Sequence, residues 1–190
     1  MKRYNLEKFT YDTYLKLQQY RADQKWGANA RTLKNSRENL KEVWEKIQLK
    51  DNISVGCMGI RNGSMEFSLF RELLPKSEII GVDISEKVKE VEGEVYCCDF
   101  NHLPKEWAEK FDLLYSNSID HSYNIKQTIR EWRRVVKDKG CLLLAFSTDR
   151  LGYADLYNFE EKDIPKLFPK DKVKILKVLE NEIYALVRKK

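Results

Sequence analysis

Residues 53 to 100, ISVGCMGIRNGSMEFSLFRELLPKSEIIGVDISEKVKEVEGEVYCCDF, decide how this chain folds. Three short apolar runs stand in it: Ile53–Val55, Ile79–Asp83 and Val95–Asp99. Between the first two lies a helical stretch, Met65–Leu74, stopped by Pro75, and between the second and third a shorter piece from Ser85 to Val91. The alternation continues downstream with apolar runs at Phe111–Tyr115 and Cys141–Phe146. They are separated by a weak turn at Pro104–Glu109, a helix over Ile125–Val136 and a turn at Lys137-Asp138-Lys139-Gly140. Strands that alternate with helices predict βαβ units, a parallel sheet and right-handed crossovers.

The chain closes with KVKILKVLENEIYALVRKK, residues 172–190, which reads as two strands around a tight turn at Glu180-Asn181-Glu182. That predicts an antiparallel hairpin at one edge of the sheet. Upstream, Leu33, Leu40, Val43, Trp44 and Ile47 recur at intervals of three, four and seven and predict an amphipathic helix over 32–49. A shorter helix carries Tyr11, Tyr14, Leu15, Leu17 and Tyr20, with Gly27 breaking the connection. The expected organisation is an N-terminal helical cap or lid over 1–50 and one α/β unit over 51–190.

At 190 residues the chain fits one domain, and roughly 70% of its unfolded surface can be buried at that length. The 35 basic and 30 acidic residues give a net charge of +5, but they are scattered, so a nucleic-acid partner is not expected. No apolar run approaches the roughly 18 residues of a membrane span, and the start, MKRYNLEKF, has no apolar stretch behind its basic residues. Cys57, Cys97, Cys98 and Cys141 fall in or beside strands without metal-ligand spacing. A cytoplasmic protein with reduced thiols and no metal is expected.

Glycines at 56, 59 and 63 form a turn between the first strand and its helix, where the missing side chains let the backbone approach a ligand closely. Their spacing does not match GxGxxG, and the turn lacks the GK[ST] of a phosphate loop. Asp83 ends the second strand, where an acid in a doubly wound fold hydrogen-bonds the ribose of a nucleoside. A turn or helix-cap role is its alternative, although Ser85 could fill that role instead.

In the order of these parts the chain resembles the class I S-adenosylmethionine-dependent methyltransferases, specifically the small proteins related to methyltransferase type 11. The resemblance covers roughly 50–147 and the terminal hairpin. It implies an α/β fold, a doubly wound, mostly parallel, Rossmann-like seven-stranded sheet ending in an antiparallel hairpin. S-adenosylmethionine is the implied cofactor and S-adenosylhomocysteine the product. Carried over, it assigns Gly56, Cys57, Met58 and Gly59 to the methionine part, Asp83 with Ile84 to the ribose, and Asp99 with Phe100 to adenine. Asn117 opens onto the same crevice. Ser54 and Met58 depart from the family's acid and middle glycine, and Arg61 and Asn62 stand where they can supply polar contacts instead.

Ser116-Asn117-Ser118-Ile119 replaces the [DN]PPY that holds a planar nitrogen in base and glutamine methylation, which disfavours that chemistry. Asp120 and His121 follow at the mouth of the crevice. If the acceptor is a hydroxyl, a base there would add a rate factor of about 10² to 10⁴. The alternative is that His121 caps the next helix or packs beneath the cofactor. The N-terminal segment from Tyr11 through Trp26 to Arg31 either closes the site against water or packs its aromatics on the sheet. By family analogy the acceptor is a small metabolite or a glycan precursor, with transfer to oxygen. Two further readings stand beside this one: a nicotinamide-dependent oxidoreductase, and a non-catalytic subunit of the same fold that binds a partner.

Overall fold

The computed structural model describes residues 1–5, 9–26, 30–47 and 49–190, with the side chains of 30–35 also outside the description. Strand β1 (Lys2–Arg3) is followed by helices α1 (Tyr11–Gln24) and α2 (Ala30–Trp44), then β2 (Ser54–Met58), α3 (Glu66–Leu73), β3 (Glu78–Asp83) and β4 (Glu94–Cys97). Next come β5 (Phe111–Ser116), α4 (Ile125–Val135), β6 (Val136–Ser147), β7 (Tyr157–Asn158), α5 (Ile164–Leu167), β8 (Lys172–Val178) and β9 (Glu182–Arg188).

Seven strands form one sheet in the order β4-β3-β2-β5-β6-β9-β8. Strands β4 through β6 in this order run parallel, and β9 pairs antiparallel with both β6 and β8. The terminal hairpin is therefore inserted with its second strand inward, leaving lysine-rich β8 at the edge. Exposed lysines at 172 and 174 are a standard protection against edge pairing, while Lys177 bonds Asn39 and Glu42 of α2. A second, two-stranded sheet joins β1 to β7; at two residues per strand it has no sequence signature.

Alternating side chains of the parallel strands feed two cores, as a period of two requires. Met58, Val82, Leu114 and Leu144 face α4, which contributes Ile125, Ile129, Trp132 and Val135. Cys57, Leu113, Tyr115 and Leu143 face the opposite side with Phe67 and Phe70 of α3. Leu40, Val43 and Ile47 join this second cluster, so α2 is part of the sheet's covering. The helix ends at Trp44 and Ile47 follows in a turn, short of the expected 49; Gly27, Arg31 and Leu33 lie outside the described residues or side chains.

The expected turn at Lys137–Gly140 lies inside β6. Pairing with β5 jumps from Phe111↔Val136 to Leu113↔Cys141, so four residues bulge opposite Asp112. Lys139 takes a left-handed conformation (φ 64°), and Lys137 Nζ bonds Asp112 at 2.8 Å. Asn124 caps α4 and Ser85 caps the 3₁₀ turn after β3, which leaves His121 and Asp83 free of capping. The four cysteines are unpaired, and burial pushes the Cys98 thiol up to about 12. Among the described residues no helix is long and apolar enough to cross a membrane.

Candidate active site

The chain order reverses between β2 and β5, and at such a switch point the loops leaving the two strands part and open a crevice at their carboxyl ends. There Gly59 leaves β2 with φ 83°, and its N–H and that of Ile60 bond Val82 O at 2.8 and 3.1 Å. A Cβ at Gly59 would stand 2.6 Å from Ser118 Oγ. Gly59→Ala is therefore expected to cost roughly 1–3 kcal/mol, from positive φ and the displaced serine. Urea unfolding of the variant measures it, and an unchanged midpoint would show the turn to be loose.

Strand β2 extends to Met58, so the turn begins later than the sequence suggested. Gly56, Cys57 and Met58 lie within the strand, where Cys57 and Met58 are fully buried. Ser54 sits at the far end of β2, bonded to Lys110 O at 2.7 Å and to Asp112. Asn62 fastens the turn, donating to Trp26 O at 3.0 Å and accepting from Ser64. Asn117 accepts from Ser118. None of these five side chains borders the cleft.

The cleft, open to solvent, is lined by Gly59, Arg61, Asp83, Ile84, Asp99, Phe100 and His121 from the expected set. Asp83 is 6% exposed and accepts from Arg61 N–H at 2.7 Å through Oδ2 and from Ser85 N–H at 2.9 Å through Oδ1. Burial raises its carboxyl above the usual range, opposed by these amides. Each oxygen keeps a second acceptor position, and two acceptors on one carboxylate suit a vicinal diol.

Asp99 is differently engaged. Oδ1 accepts from the backbone and side-chain amides of Asn101 at 2.9 and 2.7 Å. Oδ2 accepts from the Tyr11 hydroxyl and meets His102 Nδ1 at 2.9 Å. Its four acceptor positions are filled within the chain, so it anchors α1 to the loop after β4. Phe100 packs edge-on against Trp132, whose indole N–H bonds Phe100 O.

Helix α1 lies across the cleft. Besides Tyr11, it is tied by Asp23 to Ser85 Oγ, by the Tyr14 hydroxyl to His121 O at 2.9 Å and by Gln18 to Ala154 O at 2.7 Å. Leu15, Gln18, Ala22 and Lys25 line the opening. Their spacing of three, four and three is one helical face, a signal present in the sequence but masked by the tyrosines on the neighbouring face. Arg150 and Asp155 also line the cleft; they come from the loop after β6 and carried no local signal.

His121 donates Nδ1–H to Ala154 O at 2.9 Å, which presents Nε2 toward Asp155 Oδ1 at 3.5 Å and Asp120 Oδ1 at 3.9 Å. Asp120 is 4% exposed and lies behind the cleft wall, its carboxyl raised chiefly by burial.

This strand order, with its inverted last hairpin and a buried acid beside a glycine turn at the switch point, is the fold of the class I methyltransferase type. Residues 53–144 match the family described as a methyltransferase domain. The chain thus carries a stretch that matches a methyltransferase domain and has the fold of S-adenosylmethionine-dependent methyltransferases, which weighs against the nicotinamide alternative. No curated protein matches it in sequence.

Among solved structures it is similar to the Burkholderia thailandensis 1,6-didemethyltoxoflavin-N1-methyltransferase with bound 1,6-didemethyltoxoflavin and S-adenosylhomocysteine. That likeness has 10% identity and a TM-score of 0.76, covering 98% of this chain and 93% of that one. An Aquifex aeolicus methyltransferase is 15% identical with a TM-score of 0.66, covering 95% and 99%. The Haemonchus contortus phosphoethanolamine N-methyltransferase 2, in complex with S-adenosylmethionine, is 13% identical with a TM-score of 0.61, covering 80% of this chain and 52% of that one.

Proposed function

We propose that the chain transfers the methyl group of S-adenosylmethionine to an oxygen of a small acceptor, a metabolite or a glycan precursor. When bound, the cofactor supplies a sulfonium methyl that a nucleophile displaces in line. The observation that carries this reading is the division of one cleft into two walls. Gly59, Asp83, Ile84 and Phe100, which we read as a nucleoside wall, and His121, Arg150 and Asp155, which we read as a polar wall, line the same cleft.

On the nucleoside wall Asp83 holds the ribose hydroxyls, and Ile84 and Phe100 flank the base. Arg61, whose amide already orients Asp83, is placed to meet the cofactor's carboxylate. Since Asp99 is saturated by its own neighbours, its part is indirect: it positions Asn101 and the helix above. On the polar wall His121 activates the acceptor's hydroxyl, with Asp120 buried behind it.

Size limits the acceptor. The cleft is bounded by α1 on one side and by the loops after β2, β3, β4 and β6, which favours a small acceptor. The segment between β6 and β8 folds back as β7 and α5 rather than building a substrate domain. Helix α1, fastened at Asp99 and Ser85, acts as the lid that excludes water and holds donor and acceptor within about 3–3.5 Å.

The test is methyl incorporation from labelled cofactor across sugars, sugar nucleotides, phenols and amines, with the product bond identified by mass spectrometry. A methyl ether is expected. Label entering only amines or carbon would overturn the oxygen assignment, and absence of S-adenosylhomocysteine binding by calorimetry would overturn the cofactor sites.

A further inference from the structure

Three acceptor atoms converge on the polar wall with nothing donating between them. Asp120 Oδ1, His121 Nε2 and Asp155 Oδ1 lie within 4.8 Å of one another. The imidazole's direction is fixed, because its Nδ1–H is spent on Ala154 O. Asp120 Oδ1 is buried and has no hydrogen-bond partner, a state that costs roughly 1–3 kcal/mol or more for a charged group. A proton on Nε2 does not cure this: at 3.5 and 3.9 Å neither carboxylate oxygen is within normal hydrogen-bond distance. One bound cation satisfies all three atoms at once.

We infer that Asp120, His121 and Asp155 form a site for one divalent cation of the Mn²⁺ or Zn²⁺ type at the acceptor end of the cleft. Ligand atoms around such an ion, at metal–ligand distances near 2.0–2.2 Å, stand roughly 3–3.5 Å apart; His121 Nε2 already lies 3.5 Å from Asp155 Oδ1, and the wider separations, 3.9 Å to Asp120 and up to 4.8 Å within the cluster, shorten on binding by rotation of the aspartate side chains. Two carboxylates balance the charge of a divalent ion, and one imidazole nitrogen beside them selects a transition-series cation over calcium. Metal-bound histidines characteristically donate their other ring N–H to a carbonyl or carboxylate, as His121 does.

The scaffold around the triangle is rigid. Ala154 O also accepts from Tyr14 and Gln18, and Leu156 N–H bonds Asp120 O at 2.7 Å. These bonds join α1, the 119–121 turn and the 154–156 loop. Arg21 approaches the other oxygen of Asp155 at 3.7 Å and leaves Oδ1 to the cluster. Spacing along the chain could not announce the site, because its ligands sit on two separate loops.

The site deepens the methyl-transfer reading. A cation there supplies Lewis-acid polarisation to an acceptor hydroxyl and has open positions for a second, adjacent hydroxyl, which points to a vicinal diol or polyol acceptor. That consequence rests on the proposed function, whereas cation binding does not, and the experiment separates them. The full chain is titrated with Mn²⁺ alone, followed by electron paramagnetic resonance and by calorimetry with Zn²⁺, and S-adenosylhomocysteine affinity is measured in parallel.

One Mn²⁺ per chain is expected, weakened at least about 10-fold by Asp120→Asn and by Asp155→Asn and unchanged by Asp138→Asn. The two cluster variants should keep S-adenosylhomocysteine binding, which certifies their fold. No stoichiometric Mn²⁺ or Zn²⁺ uptake, or uptake indifferent to both substitutions, would overturn the site. S-adenosylhomocysteine binding in the same samples would leave the methyltransferase reading standing.

Discussion

Asp83→Ala is expected to lower affinity for S-adenosylhomocysteine at least about 100-fold while leaving the chain folded. A hydrogen bond to a charged acceptor contributes roughly 1.5–3 kcal/mol, and the alanine removes two from the ribose, so even partial replacement by water leaves a loss near 2.7 kcal/mol. The same carboxylate accepts the Arg61 and Ser85 amides, so alanine also loosens the turn. Asp83→Asn controls for this: it keeps an acceptor for one amide and should lose less affinity, with a circular dichroism spectrum matching the parent. Calorimetry is the measurement. Affinity within about threefold of the parent in a folded alanine variant would remove the ribose from this carboxylate and with it the nucleoside wall.

A second large effect concerns stability. Glu66 opens α3 yet is 3% exposed, and burial, with Asp83 and Glu182 nearby and opposed by Arg61, raises its carboxyl to about 7. The folded protein thus binds a proton that the unfolded chain has already released. Below the unfolded pKa, about 4.5, both states are protonated and the residue costs nothing. As pH rises from there to about 7 the unfolded state is favoured by about 1.4 kcal/mol per unit, and above 7 the loss stays constant.

Glu66→Gln keeps the shape and removes the charge, so the variant should gain on the parent by roughly 3 kcal/mol between pH 4.5 and 7.5. Comparing the two proteins by denaturant unfolding at each pH cancels the opposite contributions of acids such as Glu131, whose carboxyl is held low with Arg134 beside it. A difference that does not change with pH would mean that Glu66 is hydrated in the folded state.

Why a buried acid is retained there follows from position. Glu66 lies at the base of the cleft turn, near Arg61 and Asp83, and in the first turn of a helix, where a negative charge is least costly. Once ionised, above about pH 7, it adds a third charge beside Arg61 and Asp83, at the expense of stability that the large cores on either side of the sheet supply.

How much of this was legible in the sequence differs by element. The sheet was, because parallel strands covered on both faces must be continuously apolar and must be separated by helix-length segments, as Ile79–Asp83 and Phe111–Tyr115 are. The position of Asp83 at the crevice was legible because a carboxylate ending the second strand of such a sheet stands at its switch point. The extension of β2 to Met58 was not, since glycine reads as a turn wherever it stands, and only the ladder to β3 and β5 shows Gly56 inside a strand. The lid's contact face was hidden by a second set of aromatic residues on the same helix.

The sequence by itself determined the layers, the strand pattern and the chemistry at the ends of strands, because these depend on local periodicity and on what one residue type can do. Tertiary structure alone decided which acids are free: it filled Asp99 with Tyr11, His102 and Asn101, and left Oδ1 of buried Asp120 without a hydrogen-bond partner. It also brought Asp155 from a distant loop to His121. Hydrogen-bond saturation is a property of the space around a group, set by every segment that reaches it, and no reading along the chain can count donors that arrive from elsewhere.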